Sequence, residues 1–187
     1  MKQIAIFASG KGTNTKNIIK HFKQSKEVHV RIILSNNTDA GVLYIAKDEQ
    51  IESIVVNRKD FNDTEHIIAL LKNRKIDLIV LAGFLVMIPP SLVNSFSIIN
   101  IHPSLLPKYG GKGMYGSHVH EAVIQNNEKI SGITIHRVNE QYDKGEILLQ
   151  KEILLDKNET PESLQQKIHH LEHHFYPQII ESVLSLK

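Results

Sequence analysis

The 187-residue chain contains no cysteine. That absence excludes a disulfide framework, a thiolate nucleophile, an iron–sulfur cluster and any cysteine-based zinc site, so a metal site would have to use histidine and carboxylate. Charge of one sign is lacking too: 22 Lys and Arg oppose 20 Asp and Glu, for a net charge of +2. No concentrated basic surface speaks for a phosphate-backbone partner, so nucleic acid is not expected. Long apolar runs are also missing. The N-terminal segment that ends in Ser9-Gly10 holds an apolar run of about six residues, too short for a signal-peptide core or a membrane span. The expectation is a cytoplasmic, soluble protein with no membrane attachment. No repeat, low-complexity linker or compositional break divides the chain, and residues 1–187 are expected to form a single domain. What the chain has in abundance is histidine, with eleven in all and eight after residue 100.

Short β-branched runs alternate with stretches of helical period through the first hundred residues, which predicts βαβ units and a mostly parallel sheet covered on both faces. The expected strands are residues 4–8, 28–34, 54–56, 78–82 and 98–101. Between them, residues 14–24 carry Ile18, Ile19 and Phe22, and residues 63–73 carry Ile67, Ile68, Leu70 and Leu71, each set on one helical face. After residue 102 the style changes. Pro103, Pro107 and four glycines within residues 109–116 predict a long irregular loop, a feature that in compact domains is usually functional or mobile. A short helix at 118–125, strands at 132–138 and 146–153, and a closing helix follow. Thr160 is a favourable N-cap for that last helix and Pro161 suits its first turn. Leu164, Ile168, Leu171 and Phe175 are expected on its apolar stripe.

Four constellations carry chemistry. Ser9-Gly10-Lys11-Gly12-Thr13-Asn14 sits where the first strand turns into the first helix, so backbone amides and the helix N-terminus can meet an anion such as phosphate. It completes neither the P-loop nor the dinucleotide fingerprint, and a plain capped turn explains it equally well. Asn100 and His102, two apart at a strand end, present an amide and an imidazole on one side. Both suit acyl transfer, as oxyanion donors and, for the imidazole, as a proton carrier; two satisfied polar residues are the bland alternative. Asp143 lies in a turn of ordinary composition, 139–145. A carboxylate there would raise the pKa of an adjacent imidazole, but sequence spacing does not bring it to His102. Finally, His118 and His120, and the run His169, His170, His173 and His174, contain one-turn helical pairs able to chelate a metal. They lack the zinc-protease order, and a solvated helix face is the simpler reading.

Taken together, and in this order along the chain, these runs resemble a known family. Ser-Gly-Lys-Gly-Thr-Asn at 9–14, Leu-Ala-Gly-Phe at 81–84, Ile-Asn-Ile-His-Pro-Ser-Leu-Leu-Pro at 99–107, Gly-Ile-Thr-Ile-His at 132–136 and Tyr-Asp-Lys-Gly at 142–145 are similar to the motifs of the folate-dependent phosphoribosylglycinamide formyltransferases of purine biosynthesis. The resemblance runs from Ile4 to about Val183. It implies a doubly wound, Rossmann-like α/β fold and transfer of a formyl group from 10-formyltetrahydrofolate to the amine of 5-phosphoribosylglycinamide (GAR), with no metal. It also implies roles for individual residues. Asn100 would be the oxyanion donor, His102 the acid/base, and Asp143 the carboxylate that keeps His102 protonated. Gly12, Thr13 and Asn14 would hold the ribotide phosphate and Glu172 the ribose side. Leu85, Val86, Met87 and Ile88 would meet the folate, with the turn from Asn139 and Glu140 to Asp143 closing over the pterin.

The chain departs from the family at three places. Many members have Met-Arg-Ile-Leu where this chain has Leu85-Val86-Met87-Ile88, and an arginine expected just after Phe61 is replaced by Thr64. Both changes remove positive charge that would meet the folate's glutamate tail, and neither touches the chemistry. The third is the loop 108–116, longer and richer in glycine than the commoner form. The rival readings are a formyltetrahydrofolate hydrolase, which shares the Asn, His and Asp but carries an N-terminal regulatory domain not expected here, a non-catalytic phosphate-binding α/β module, and a His-rich metal-binding protein. A monomer and a homodimer are both compatible with the sequence.

Overall fold

The computed structural model describes residues 1–57, 60–61 and 63–185. Along the chain run β1 (Lys2–Phe7), α1 (Thr13–Phe22), β2 (Val28–Ser35), α2 (Gly41–Asp48), β3 (Glu52–Val55), α3 (Glu65–Asn73), β4 (Leu78–Leu81), α4 (Pro90–Ser95) and β5 (Ile98–His102). They continue with α5 (Ser117–Gln125), β6 (Ile130–Arg137), β7 (Ile147–Leu154) and α6 (Pro161–Ser185). The strands form one seven-stranded sheet in the order β3-β2-β1-β4-β5-β6-β7. The first five are parallel to one another, and the β5–β6 and β6–β7 pairs are antiparallel. This is the doubly wound, mostly parallel α/β sheet expected from the sequence.

The period-2 geometry of a strand sends alternate side chains to opposite faces, and in β1 both faces are apolar and buried. Ile4, Ile6 and Ala8 join α1, α2, α5 and α6 in one core, while Ala5 and Phe7 join α3 and α4 in the other. Two helices have no counterpart among the sequence expectations. α2 has no side-chain cap and only eight residues, and α4 has six behind a proline pair, so neither offers a long periodic face.

α6 begins as the sequence predicts: Thr160 Oγ1 accepts from Ser163 N–H at 3.2 Å, and Ser163 Oγ accepts from Thr160 N–H at 3.0 Å. Its buried row differs from the expected stripe. Leu164, Ile168, Glu172, Tyr176 and Ile180, spaced by four, are buried, whereas Leu171 and Phe175 are only half-buried. Residues four apart are neighbours on a helix surface, so Glu172 falls between the buried Ile168 and Tyr176. The Tyr176 hydroxyl donates to the Leu81 carbonyl at 2.8 Å, with Ile99 O at 3.2 Å, and so ties α6 to the ends of β4 and β5.

Candidate active site

Strand order reverses between β1 and β4, and in open α/β sheets the crevice beyond the carboxyl ends at such a point is where ligands bind. Here it is a cavity of about 800 Å³. The turn after β1 forms one end. Gly12 caps α1 with φ 78°, and a Cβ there would lie 2.9 Å from Val42, so the left-handed turn and the close packing of α2 both call for glycine. Ser9 fixes the turn to its neighbours: its Oγ donates to Asn36 Oδ1 at 2.5 Å and accepts from Leu85 N–H at 2.9 Å. Lys11, Gly12, Thr13 and Asn14 all line the cavity, with no acidic residue in the first turn of α1. This end suits an anion at a helix N-terminus.

Glu172 faces the same turn from α6. Asn14 Nδ2 donates to its Oε2 at 2.9 Å, while Asn14 Oδ1 is buried without a partner. Burial pushes the Glu172 carboxyl up to about 7, and the Asn14 donor offsets only part of that. His169 also lines the cavity. It stacks on His173 with ring centroids 6.1 Å apart. The expected solvated face is therefore only half right: His170 and His174 are exposed, but His169 and His173 are half-buried and burial lowers the pKa of both. Among the described residues, no group of three or more His, Cys, Asp or Glu is placed to hold a metal ion.

The other end is built on β5 and β6. Antiparallel pairing sets Asn100 opposite His136 and His102 opposite Thr134. Asn100 Nδ2 donates to His136 Nε2 at 3.1 Å. His102, 4% exposed, donates from Nε2 to the Tyr109 carbonyl at 2.7 Å, which leaves Nδ1 as its free nitrogen. Asp143 stands between the rings, with Oδ2 3.7 Å from His102 Nδ1 and Oδ1 3.6 Å from His136 Nε2. Gly111 N–H donates to Oδ2 at 2.8 Å. The turn itself carries local signals: Asp143 has φ 53°, tolerable for aspartate, and a Cβ on Gly145 would sit 1.7 Å from the Arg137 carbonyl. The structure thus makes the juxtaposition of His102 and Asp143 that the sequence left open.

The ionisation of this pair corrects the expectation of a protonated His102. Burial lowers the His102 pKa, and the Asp143 charge and the Tyr109 carbonyl do not fully offset it, so the free site favours a neutral ring at neutral pH. For Asp143, burial raises the carboxyl, but His136, the Gly111 N–H and His102 outweigh it and hold the pKa below the ordinary range. His120 is a further buried member of the cavity wall. Desolvation takes it down to about 4, and its Nδ1 has no partner.

A smaller hollow of about 70 Å³ adjoins this end and shares Phe84, Asn100, Tyr142 and Asp143 with the large cavity. Val86, Met87, Ile88 and Asn139 line it, whereas Leu85 lines the large cavity and Glu140 lines neither. Thr64 lies outside both, its Oγ1 sharing a 2.5 Å hydrogen bond with Ser91 Oγ. The glycine-rich loop supplies the Tyr109 carbonyl and the Gly111 amide described above, and residues 111–116 form part of the cavity wall. Sequence reasoning gave no role to His136, His120 or Tyr109. For His136 the usable signal was its place at the end of an alternating strand whose partner strand ends in Asn-Ile-His.

The fold is that of a doubly wound α/β protein, and the chain belongs to the formyl transferase family, whose sequence profile matches residues 2–180. It is 36% identical over 190 residues to the chloroplastic phosphoribosylglycinamide formyltransferase of Arabidopsis thaliana, covering 97% of this chain and 65% of that protein. It is 35% identical over 193 residues to the phosphoribosylglycinamide formyltransferase of Bacillus subtilis, covering 100% and 96%. The chain thus spans just under two thirds of the length of the plant relative and nearly all of the bacterial one. The crystal structure of phosphoribosylglycinamide formyltransferase from Anaplasma phagocytophilum superposes with a TM-score of 0.88 at 34% identity, over 99% of this chain and 87% of that one. Among the described residues, no helix is long and apolar enough to cross a membrane.

Proposed function

We propose that this protein transfers the formyl group of 10-formyltetrahydrofolate to the amine of GAR, giving formyl-GAR and tetrahydrofolate. One observation carries the reading: Asn100, His102 and Asp143 meet where two hollows join, and the larger hollow ends at the Gly12–Asn14 anion turn. In this reading Gly12, Thr13 and Asn14 hold the ribotide phosphate, Glu172 takes the ribose side, and Val86, Met87, Ile88 and Asn139 meet one end of the folate at the smaller hollow, the rest of it lying outside. Leu85 lines the larger hollow and Glu140 neither one; the folate role expected of both is part of the same proposal. The amine attacks the formyl carbon, and the carbonyl oxygen becomes an oxyanion facing the Asn100 amide. His102 accepts the proton lost by the amine. Its Nε2–H is held by Tyr109, so Nδ1 is the basic atom, and the resulting imidazolium is stabilised by Asp143. A water beside Asp143 relays the proton to folate N10 as the tetrahedral intermediate collapses.

The low His102 pKa supports this order of events, because a base must be unprotonated before it accepts. The proposal carries the remaining expectations with it: one formyltransferase domain, a cytoplasmic setting, two small-molecule substrates, no resident metal, and a monomer or homodimer. The test is incubation with both substrates, following the folate product with and without GAR. Product that depends on GAR is expected; equal rates without it would identify a hydrolase, and no product in either case would favour a non-catalytic module.

A further inference from the structure

We infer that His136 is a positioning residue whose Nε2 lone pair fixes the orientation of the Asn100 carboxamide. His136 is 2% exposed and sits directly across the β5–β6 pair from Asn100. Its Nδ1 is 2.8 Å from the Arg137 carbonyl. A carbonyl only accepts, so Nδ1 carries the ring proton and Nε2 of the neutral ring is an acceptor. That acceptor is 3.1 Å from Asn100 Nδ2. The two ends of a carboxamide have the same shape, and what distinguishes them is the partner offered. Facing a lone pair, Asn100 must turn its NH₂ toward β6. One N–H is used there, and the second N–H of the same nitrogen is left for the hollows that Asn100 lines. A flipped amide would set its oxygen against the Nε2 lone pair. Asp143 Oδ1 is also near Nε2 but at 3.6 Å, beyond hydrogen-bond length, so Asn100 at 3.1 Å is the partner of that nitrogen.

The inference rests on Asn100 being the oxyanion donor of the proposed transfer, and its test separates the two. In formyl transfer assays, His136→Leu, which has no acceptor, is expected to lower kcat by about 30- to 100-fold, part of the loss seen when an oxyanion donor is removed outright. KM for both substrates should stay within about threefold, since the misplaced group acts on the developing oxyanion rather than on ground-state binding. His136→Gln, whose Oε1 can stand near the Nε2 position, should recover to within about fivefold of wild type. Equal loss in both variants, a loss confined to KM, or a wild-type kcat in His136→Leu would overturn the role. Nitrogen NMR of wild-type imidazoles reads the tautomer without any turnover. An unprotonated Nε2 coupled across a hydrogen bond to the Asn100 amide is expected, and a protonated Nε2 at neutral pH would overturn the inference even in an active enzyme. Should the wild type make no formyl-GAR, the functional reading fails, while the NMR result still decides the orientation.

Discussion

One half-buried and one fully buried carboxylate mark the two ends of one cavity, and their pKa values are shifted in opposite directions. Asp143 is surrounded by two imidazoles and a main-chain N–H, and its pKa is held below the ordinary range. Glu172 has a single Asn14 donor inside an apolar helical row, and burial drives it to about 7. Burial acts on both, so the difference lies in the partners: Asp143 accepts from the Gly111 N–H and stands beside two rings, either of which can carry positive charge, whereas Glu172 has one neutral amide donor. The first environment suits a group that stabilises a transient imidazolium. The second leaves a carboxyl that changes its protonation near neutral pH when a ligand supplies or removes partners.

The comparison breaks most visibly at its anionic end. Asp143→Ala should lower kcat by about 10³-fold or more with the circular dichroism spectrum unchanged, because the imidazolium loses its counter-charge; a rate within tenfold of wild type would remove Asp143 from the chemistry. Gly145→Ala acts on the same carboxylate from a distance. Its Cβ would overlap the Arg137 carbonyl, so the turn must shift, at a cost of about 2–3 kcal/mol in denaturant unfolding and roughly a tenfold or greater loss of kcat. Unaltered stability would show that the turn yields freely.

Glu172→Gln addresses the other end. The folded-state pKa is raised, from 4.5 to about 7, so below pH 4.5 both folded and unfolded states hold the proton and nothing is lost. Between 4.5 and 7 only the folded state keeps it, and stability falls as pH rises. Glutamine does not titrate, so the variant should gain on wild type across that window, reaching roughly 3 kcal/mol above pH 7 by urea unfolding at a series of pH values. A pH-independent difference would mean that Glu172 stays charged. The smallest effect at neutral pH is on the acid limb of kcat/KM. With His102 required neutral and its pKa lowered, the limb that belongs to His102 should lie below the ordinary histidine range, separate from any step near 7 that Glu172 adds. Asp143→Asn should push that limb further toward acid, since Asp143 opposes the lowering. An acid limb at or above the ordinary histidine value in the wild type would contradict a buried neutral base.

Much of this was legible without coordinates. Apolar runs such as Ile4–Ala8 and the helical spacing of Ile18, Ile19 and Phe22 predicted strands, crossover helices and a two-faced sheet. Asn100 and His102 were readable as a pair because residues two apart on a strand share a side. Gly12 was readable because a tight strand-to-helix turn favours glycine. Asp143 was different. Its local sequence is ordinary turn chemistry, and its partner lies 41 positions away across an antiparallel strand that the periodic pattern does not register. Glu172 on a buried row, and His136 opposite Asn100, were hidden for the same reason: each depends on which element packs against which.

Sequence alone determined the strands and the longer helices, the sheet class, the strand-end pair and the glycine turn, since these follow from steric preferences and periodicity acting over a few residues. Only tertiary structure decided that Asp143 stands between His102 and His136, that Tyr109 and Gly111 reach back to them, and that one carboxyl is held below its ordinary pKa while the other is raised. Those outcomes depend on desolvation and on the convergence of donors from distant segments, and neither quantity is a property of any short stretch of chain.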